Sequence, residues 1–506
     1  MQNKLDIIHD HKMIFDGKCG VYTILGRLSM DLSSLRVTIH LTAVGKRKQR
    51  MKLDLYNFTQ IQKNCQIISE REDYSYLHLE ADLLQLTDQI EAYRDKLFEE
   101  EYSLLLPKIP KITKANEKAS LAILSRQNLL KTIQRMLGES GIVGEEKNRL
   151  LLFLIGLGSR SQYPLHALVH STSGSGKSHL INAVANCFPQ EDLLSLTRVT
   201  SKSFYHYRKG ELKHKLMLIQ DFDGIDEEAL YALRELQSYG SLTSSYTHKD
   251  KFGNMSSKTQ TVEGHFSSFG ATTKTIYTDN ESRSILLRVD ESIEQTKRII
   301  NFQNKLSLGQ LDAKEMDRAK VELSNMIRLL KDKEVINPYS TKIELPFKAK
   351  MLRRLNKQFQ DFVCQIAFLH QYQREQTKTG KIIATKSDVA AAIEIFFDSI
   401  WLKIDELDGA LRDFYERLKA YMLKRDEKLT TTEGSFTQRE IRQALNLSKT
   451  HCHTQLKRLL SLEYVLQDRK GVQRQGNTYK VVFWDDFTHV RAMIKNNLLA
   501  QLKNID

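Results

Sequence analysis

Residues 171–180 read STSGSGKSHL, a run of small residues that closes on Gly-Lys-Ser. Chemistry follows from that order. Gly174 and Gly176 let the backbone curl so that the N–H groups of Ser173, Ser175 and their neighbours converge on phosphate oxygens. Lys177 neutralises those oxygens, and the Ser178 hydroxyl is a ligand for Mg²⁺. The loop therefore reads as a cradle for a nucleoside triphosphate, with ATP and Mg²⁺ the expected pair. One departure is visible: the pattern GxxxxGK[ST] asks for glycine at 171, and this chain has Ser171.

A second cluster lies in LMLIQDFDGIDEE, 216–228, four apolar residues followed by polar and acidic ones. In such a site an Asp closes the strand and holds Mg²⁺, and a following carboxylate orients the attacking water. The order here is Gln220, Asp221, Phe222, Asp223. Either Asp221 stands on the metal side, or Gln220 does and Asp221 acts on water. Asp221 is the expected main acid and metal ligand beside Ser178, with Asp223 or Glu227 assisting. Further on, FSSFGATTK ends in Thr272 and Thr273, placed to sense the γ-phosphate between the two acidic strands. In TDNESRSILLRVDES, Arg283 follows the last such strand and is expected to point into a neighbouring copy's site as an arginine finger.

These side chains need elements to hold them. LHALVH, 165–170, reads as a short buried strand directly before the Gly-Ser loop, and a helix follows; strand, loop and helix is the setting a phosphate cradle requires. Helical segments are expected at about 118–137 and 144–157. LLPKIPKITK, 105–114, holds two of only six prolines and reads as a linker. Before it, LRVTIHLTAV and QRMKLDLYN alternate apolar and polar residues, as paired strands do, with GVYTILGRLSM a third strand and GKRKQR a basic tip. Leu79, Leu83, Leu86, Ile90, Tyr93 and Leu97 then form a narrow helical stripe. That stripe serves either a helical hairpin or oligomer contact, or packing on its own domain.

At 506 residues the chain is too long for one core, and 41% hydrophobic with 27% charged residues describes a globular protein rather than a disordered or membrane one. No apolar run reaches the roughly 18 residues a membrane span needs, and the N-terminus lacks a signal pattern, so a cytoplasmic protein without membrane contact is expected. Five scattered cysteines without a CxxC pair fit a reducing compartment. A net charge of +14 favours a polyanionic partner. The His9-Asp10-His11 and His451-Cys452-His453 triplets read as surface residues, not metal sites.

The segments GIVGEEKNRLLLFLIGL, PLHALVHSTSGSGKSHL, LMLIQDFDGIDEEALYALRELQSYGSLTSS, FSSFGATTK and NESRSILLRVDES occur in the order and spacing of MCM-type AAA+ helicases. The chain resembles that family over about residues 120–402, most nearly the diverged MCM-like replication proteins of bacterial mobile elements. In the family the acidic strand is IDEFDKM-like, the sensor strand ends in Asn and an SRFD-like segment carries the trans-acting Arg. Here those become IQDFDGI, a Thr pair and Ser282-Arg283-Ser284. The resemblance implies a helical lid in which Arg353 or Arg354 is a second sensor for the γ-phosphate. It also implies a hexameric ring and a pore hairpin before the sensor strand. In SSYTHKDKFGNMSSKTQTVEGHF that hairpin carries Lys249, Lys251 and Lys258, suited to gripping phosphates without reading sequence. A primase or other replication protein is an implied partner; the zinc finger of such primases is absent, so primer synthesis is not expected.

After the lid, residues 435–482 read as a winged helix. Thr437 with Glu440 makes a capping box, Ser448 caps a second helix, and RKGVQRQGNTYK is the wing. From 437 to 480 there are nine Lys/Arg against three Asp/Glu, far denser in positive charge than the whole chain. Leu456, Leu459 and Leu460 are expected in its core. Lys449, Thr450, His453, Gln455 and Lys457, with Arg474 of the wing, are expected to face DNA.

The expected fold is thus multidomain α/β: a β-rich N-terminal domain (1–75), a helical hairpin and linker (76–117), an AAA+ P-loop NTPase core (118–300), a helical lid (301–405) and a winged-helix domain (406–506). The expected function is an ATP-driven, hexameric DNA translocase or helicase acting on single-stranded or forked DNA. Its alternative is an AAA+ replication initiator or loader that uses ATP as an assembly switch.

Overall fold

The computed structural model describes residues 4–29, 34–105, 110–200, 202–208, 210–249, 255–273, 278–407, 409–425, 434–469, 476–484 and 487–504. The chain divides into two compact units, Met1–Pro110 and Lys111–Asp506.

In the first unit, β1 (Leu5–His9), β2 (Lys12–Gly17), β3 (Gly20–Leu25), β4 (Arg36–Thr42) and β5 (Gln49–Asp54) form an antiparallel sheet in sequence order. Alternation sorts the two faces: Val37, Ile39, Leu41, Met51 and Leu53 are buried, while Arg36, Arg50 and Lys52 are exposed. The sequence reading missed β1 and β2, although Met13 and Phe15 carry the same alternation. Two helices follow, α1 (Phe58–Arg71) and α2 (Tyr76–Leu105), the second a single helix of 30 residues rather than a hairpin. Leu79, Leu83, Leu86 and Ile90 are buried with the sheet's apolar face in one cluster, so the stripe packs within its own unit. Asp82 of α2 is buried and accepts the backbone N–H groups of Lys18 and Cys19, each at 2.9 Å, and the Tyr22 hydroxyl at 3.0 Å. These bonds fix the β2–β3 turn, and burial with the Asp82 charge raises the Tyr22 pKa.

The second unit opens with α3 (Lys114–Leu124), α4 (Leu129–Glu139) and α5 (Glu146–Leu157). The helix expected over 118–137 is therefore two helices, separated at Ser125, the C-cap of α3, and Asn128, the N-cap of α4. Next come β6 (His166–His170), α6 (Lys177–Ala185), β7 (Leu193–Leu196), β8 (Leu212–Ile219), α7 (Glu227–Tyr239), β9 (Ser241–Lys249), β10 (Met255–Thr272), α8 (Thr278–Arg283) and β11 (Ile285–Leu287). Five of these strands make a parallel sheet in the order β11-β6-β10-β8-β7. Both faces are covered by helices, which is why the strands read as apolar runs and not as alternation.

Strand β10 has two roles. Over Met255–Glu263 it pairs antiparallel with β9 as a hairpin, and over Gly264–Thr272 it runs on into the parallel sheet between β6 and β8. Lys249 and Lys258 stand on the backbone of this hairpin, with Lys249 opposite Met255 and Lys258 opposite Tyr246. Lys251 lies outside the described residues.

Helices α9 (Ile293–Ser307) and α10 (Ala313–Leu329), β12 (Val335–Ile336), α11 (Leu352–Leu369), β13 (Ile382–Ile383) and α12 (Lys386–Leu402) follow. Phe359 and Phe362 of α11 pack on Phe396 of α12, and Ser399 of α12 donates to the Leu286 carbonyl of β11 at 2.9 Å. The remainder is α13 (Gly409–Arg425), β14 (Phe436–Thr437), α14 (Gln438–Ala444), α15 (Lys449–Ser461), β15 (Val465–Arg469), β16 (Thr478–Val481) and α16 (Phe487–Lys503), with an antiparallel sheet in the order β14-β16-β15. Thr437 and Glu440 cap α14 reciprocally, and Ser448 caps α15. The last helix departs from the expected 406–506 division. Leu498 of α16 is buried in the core cluster that contains α12, and Lys495 pairs with Glu394 of α12 at 2.6 Å. Its apolar side finds its partner on α12, so α16 packs there and not with the module of α14 and α15.

Candidate nucleotide-binding site

The loop between β6 and α6 turns sharply because Gly174 and Gly176 hold φ of +79° and +93°. A Cβ at either position meets no atom within 4 Å, so conformation, not crowding, demands glycine there. Ser171 occupies its place as a small buried residue. The Lys177 ammonium is buried and donates to the carbonyls of Ser171 at 3.0 Å and Thr172 at 2.5 Å. Burial lowers its pKa, and the Glu291 and Asp223 carboxylates oppose that shift.

A cleft of about 500 Å³ brings this loop together with both downstream strands. It is lined by Ser173, Gly174, Gly176, Lys177 and Ser178, by Gln220, Asp221 and Asp223 beyond β8, and by Thr272 and Thr273 at the end of β10. The two threonines do not stand free. Asp223 accepts from the Thr272 hydroxyl at 2.5 Å, the Thr273 hydroxyl at 2.9 Å and the Thr273 backbone N–H at 2.8 Å. Asp221 accepts the backbone N–H of Asp223 at 3.1 Å, capping its own turn, and its side chain is exposed along the cleft. The pairing of sensor strand with Asp223 was not foreseen from sequence. Glu227 lies in the first turn of α7 and is not among the residues lining the cleft.

Mg²⁺ needs few protein ligands, since it keeps waters and takes oxygens from phosphates, so one hydroxyl and one carboxylate are a fitting donor set. Ser178 and Asp221 supply that pair on one cleft. Among the described residues no group of three or more His, Cys, Asp or Glu side chains is placed to hold a metal ion, and the two His triplets are not such a group.

Sequence reasoning also missed Glu291. Its carboxylate takes the Thr172 backbone N–H at 3.1 Å and the Thr172 hydroxyl at 2.9 Å, tying the segment after β11 to the shoulder of the loop. Nothing local marks it, because Thr172 is 119 residues away.

Arg283 and Arg354 meet elsewhere. They line a cavity of about 460 Å³ with Leu165 and His166, at the amino end of β6, and with Gly264 to Phe266, where β10 enters the parallel sheet. The P-loop follows the carboxyl end of β6, about 13 Å away at the usual rise per strand residue. Arg283 donates to the Ser238 hydroxyl at 2.8 Å and the Asp279 carbonyl at 2.9 Å. Burial lowers its pKa, and the Arg354 cation adds to that effect. Arg354 donates to the Ser282 hydroxyl, and Gln358 to the Ser282 carbonyl at 3.3 Å. Lys403, after α12, is buried and pairs with the Glu281 carboxylate at 3.1 Å and its carbonyl at 2.7 Å. Helix α8 is thereby held just before Arg283, by Arg354 and Gln358 of α11 at Ser282 and by Lys403 at Glu281. Arg353 is exposed at the start of α11.

His166 lies beneath this cavity, buried, 3.0 Å from the Ser268 hydroxyl through Nδ1. Burial pushes its pKa down to about 3, so the folded unit holds it neutral. The unfolded chain protonates it near its ordinary value of about 6.5, so stability from this residue is full above that pH and drains as pH falls towards 3. His166→Gln is expected to shrink the loss of denaturant resistance between pH 7 and pH 4.5, by up to about 1.4 kcal/mol per pH unit removed. Equal losses in both proteins would contradict the assignment.

In the C-terminal module Leu456 and Leu459 are buried and Leu460 is partly so. Lys449, Thr450, His453 and Lys457 are exposed. Gln455, expected to face a groove, is instead buried, because it shares the inward side of α15 with Cys452, Leu456 and Leu459. Arg474 lies outside the described residues.

The second unit is therefore an α/β domain built on a parallel sheet with the Gly-Lys-Ser loop at its carboxyl edge, followed by a helical layer and a small helix-and-hairpin module. No protein-family model matches the chain, and no curated protein matches it. Among solved structures it is similar to one described as "SCCmec type IV Cch - active helicase", with a TM-score of 0.32 and 12% identity over 98% of this chain and 99% of that chain. It is also similar to a full-length MCM homolog from Methanopyrus kandleri, with a TM-score of 0.37 and 11% identity over 80% of this chain and 76% of that one. Among the described residues no helix is long and apolar enough to cross a membrane.

Proposed function

We propose that this protein is an ATP-driven DNA translocase that works as a ring of identical subunits, a hexamer by the family resemblance, separating strands in replication of a mobile element. The observation that carries the reading is the division of charged groups within one chain. Lys177, Ser178 and Asp221 gather at the carboxyl end of β6, whereas Arg283 and Arg354 open at its amino end. A hydrolytic site needs cations against the charge developing on the transferring phosphoryl group. The two arginines cannot supply it to their own Lys177, so a second copy must.

Each residue then has a task. The loop N–H groups and Lys177 hold the phosphates, and Asp221 with Ser178 holds Mg²⁺, which neutralises charge on the phosphate oxygens when bound. Asp223 keeps Thr272 and Thr273 at the mouth of the cleft. Strand β10 links that mouth to the hairpin without a break, so displacement of the hairpin pulls on the residues beside the γ-phosphate. We read α14, α15 and the β15–β16 hairpin as a winged helix that adds a second DNA contact through Lys449 and Lys457.

The test is hydrolysis of ATP with and without forked DNA, together with strand separation. DNA-stimulated turnover and unwinding are expected, and replacing Lys249, Lys251 and Lys258 with Ala is expected to abolish unwinding while ATP binding persists. Loss of ATP binding in that variant would sink the assignment of the hairpin. Gln220 lines the cleft beside Asp221, where a carboxylate is usual, and favours a second reading: an initiator or loader that binds ATP as a switch. Nucleotide binding without turnover would select it.

A further inference from the structure

A second cavity, of about 850 Å³, opens on the other shoulder of the P-loop, at Thr172. Its inner wall is the segment after β11, including the Glu291 that bonds Thr172. Its outer wall belongs to the C-terminal module: Ala410 of α13, Asn446 and Ser448 of the turn before α15, and His451 in the first turn of α15. The size falls within the range of about 300–1,000 Å³ typical of small-ligand sites.

A triphosphate seated on Ser173–Ser178 has to lead its nucleoside out of the cradle somewhere. Towards β8 and β10 the cleft of about 500 Å³ is walled by Asp223, Thr272 and Thr273, which three hydrogen bonds hold together. Towards β11, Thr172, the residue just before the cradle, lines the larger cavity. The lining suits a nucleobase: Glu291 and Glu294 offer acceptors to an exocyclic amino group, and Asn446 and His451 offer donors to ring nitrogens.

We propose that the nucleoside of the P-loop ligand, a purine nucleoside, occupies this cavity and that the C-terminal module supplies its outer wall from the same chain. The inference rests on the nucleotide reading above and extends it, because the module becomes part of the site. Ser448 and His451 lie at the end of α15 that would also approach a DNA groove. The nucleotide site and the end of α15 expected to meet DNA are therefore adjacent, and the module reports the state of the P-loop.

Binding of Mg-ATP and of Mg-tripolyphosphate to the full chain separates the two halves of the site. Asn446 has φ of +54°, so Asn446→Gly removes the side chain while keeping a backbone that tolerates that angle. Combined with His451→Ala it is expected to weaken ATP binding about tenfold and leave tripolyphosphate within about twofold. Ala410→Trp, which fills the cavity from α13, is expected to show the same selectivity by exclusion. If both variants weaken the two ligands equally, or weaken neither, the proposal is overturned. If the unaltered protein binds neither ligand, the nucleotide reading beneath it falls first.

Discussion

Rings assembled from equal amounts of Lys177→Ala and Arg283→Ala subunits are expected to hydrolyse ATP, although each preparation alone is inactive. Lys177 is buried against two carbonyls of its own loop, so its removal leaves the cradle without its cation. Arg283 stands at the far end of β6 from that cradle. Loss of an arginine finger costs about 10³-fold or more in turnover, and loss of the phosphate-binding lysine should be comparable. In a mixed ring each site takes its lysine from one subunit and its arginine from the next. About a quarter of sites then receive both intact, so recovery to about a quarter of normal turnover is expected if sites act independently. Mixtures no more active than their parents would refute a shared site.

The second large effect concerns two carboxylates that sequence alone does not separate. Asp221→Asn is expected to lower turnover about 10²–10³-fold with ATP binding retained, because it removes the exposed charge beside Ser178. Asp223→Asn acts differently. An amide has one acceptor oxygen, while Asp223 receives donors on both of its oxygens from Thr272 and Thr273. Its replacement releases the threonine pair. Thr272→Val breaks the same lock, so adding it to Asp223→Asn should cost little more than either change alone, whereas adding it to Asp221→Asn should multiply the losses. A double-mutant cycle on kcat reads the difference directly. Multiplicative losses in both pairs would mean that the threonines do not act through Asp223.

The conformation of the Gly-Lys-Ser loop was legible because all of it is local. Two glycines, a lysine and a serine within six positions determine a loop whatever surrounds them, and the acidic and threonine-ended strands could be found by their apolar lead-in. Partnerships across the fold were not legible. That Thr272 and Thr273 belong to Asp223, or that Glu291 reaches Thr172, depends on strands being neighbours in a sheet whose order departs from sequence order. Burial at the margin was also hidden: Gln455 is polar, yet α15 turns it inward with Cys452 and Leu459. The division of 118–137 into two helices and the adherence of α16 to α12 were missed for a related reason. Helical periodicity shows that a face is apolar, not which surface will cover it.

The bracket formed by Lys403 on Glu281 and Arg354 on Ser282 makes the short arginine-bearing helix a passenger of the lid. In a closed assembly, a defect introduced deep in the lid would therefore leave the altered subunit's own turnover intact and appear one seat along the ring. Genetic damage there should behave as dominant, because a faulty copy silences a healthy neighbour.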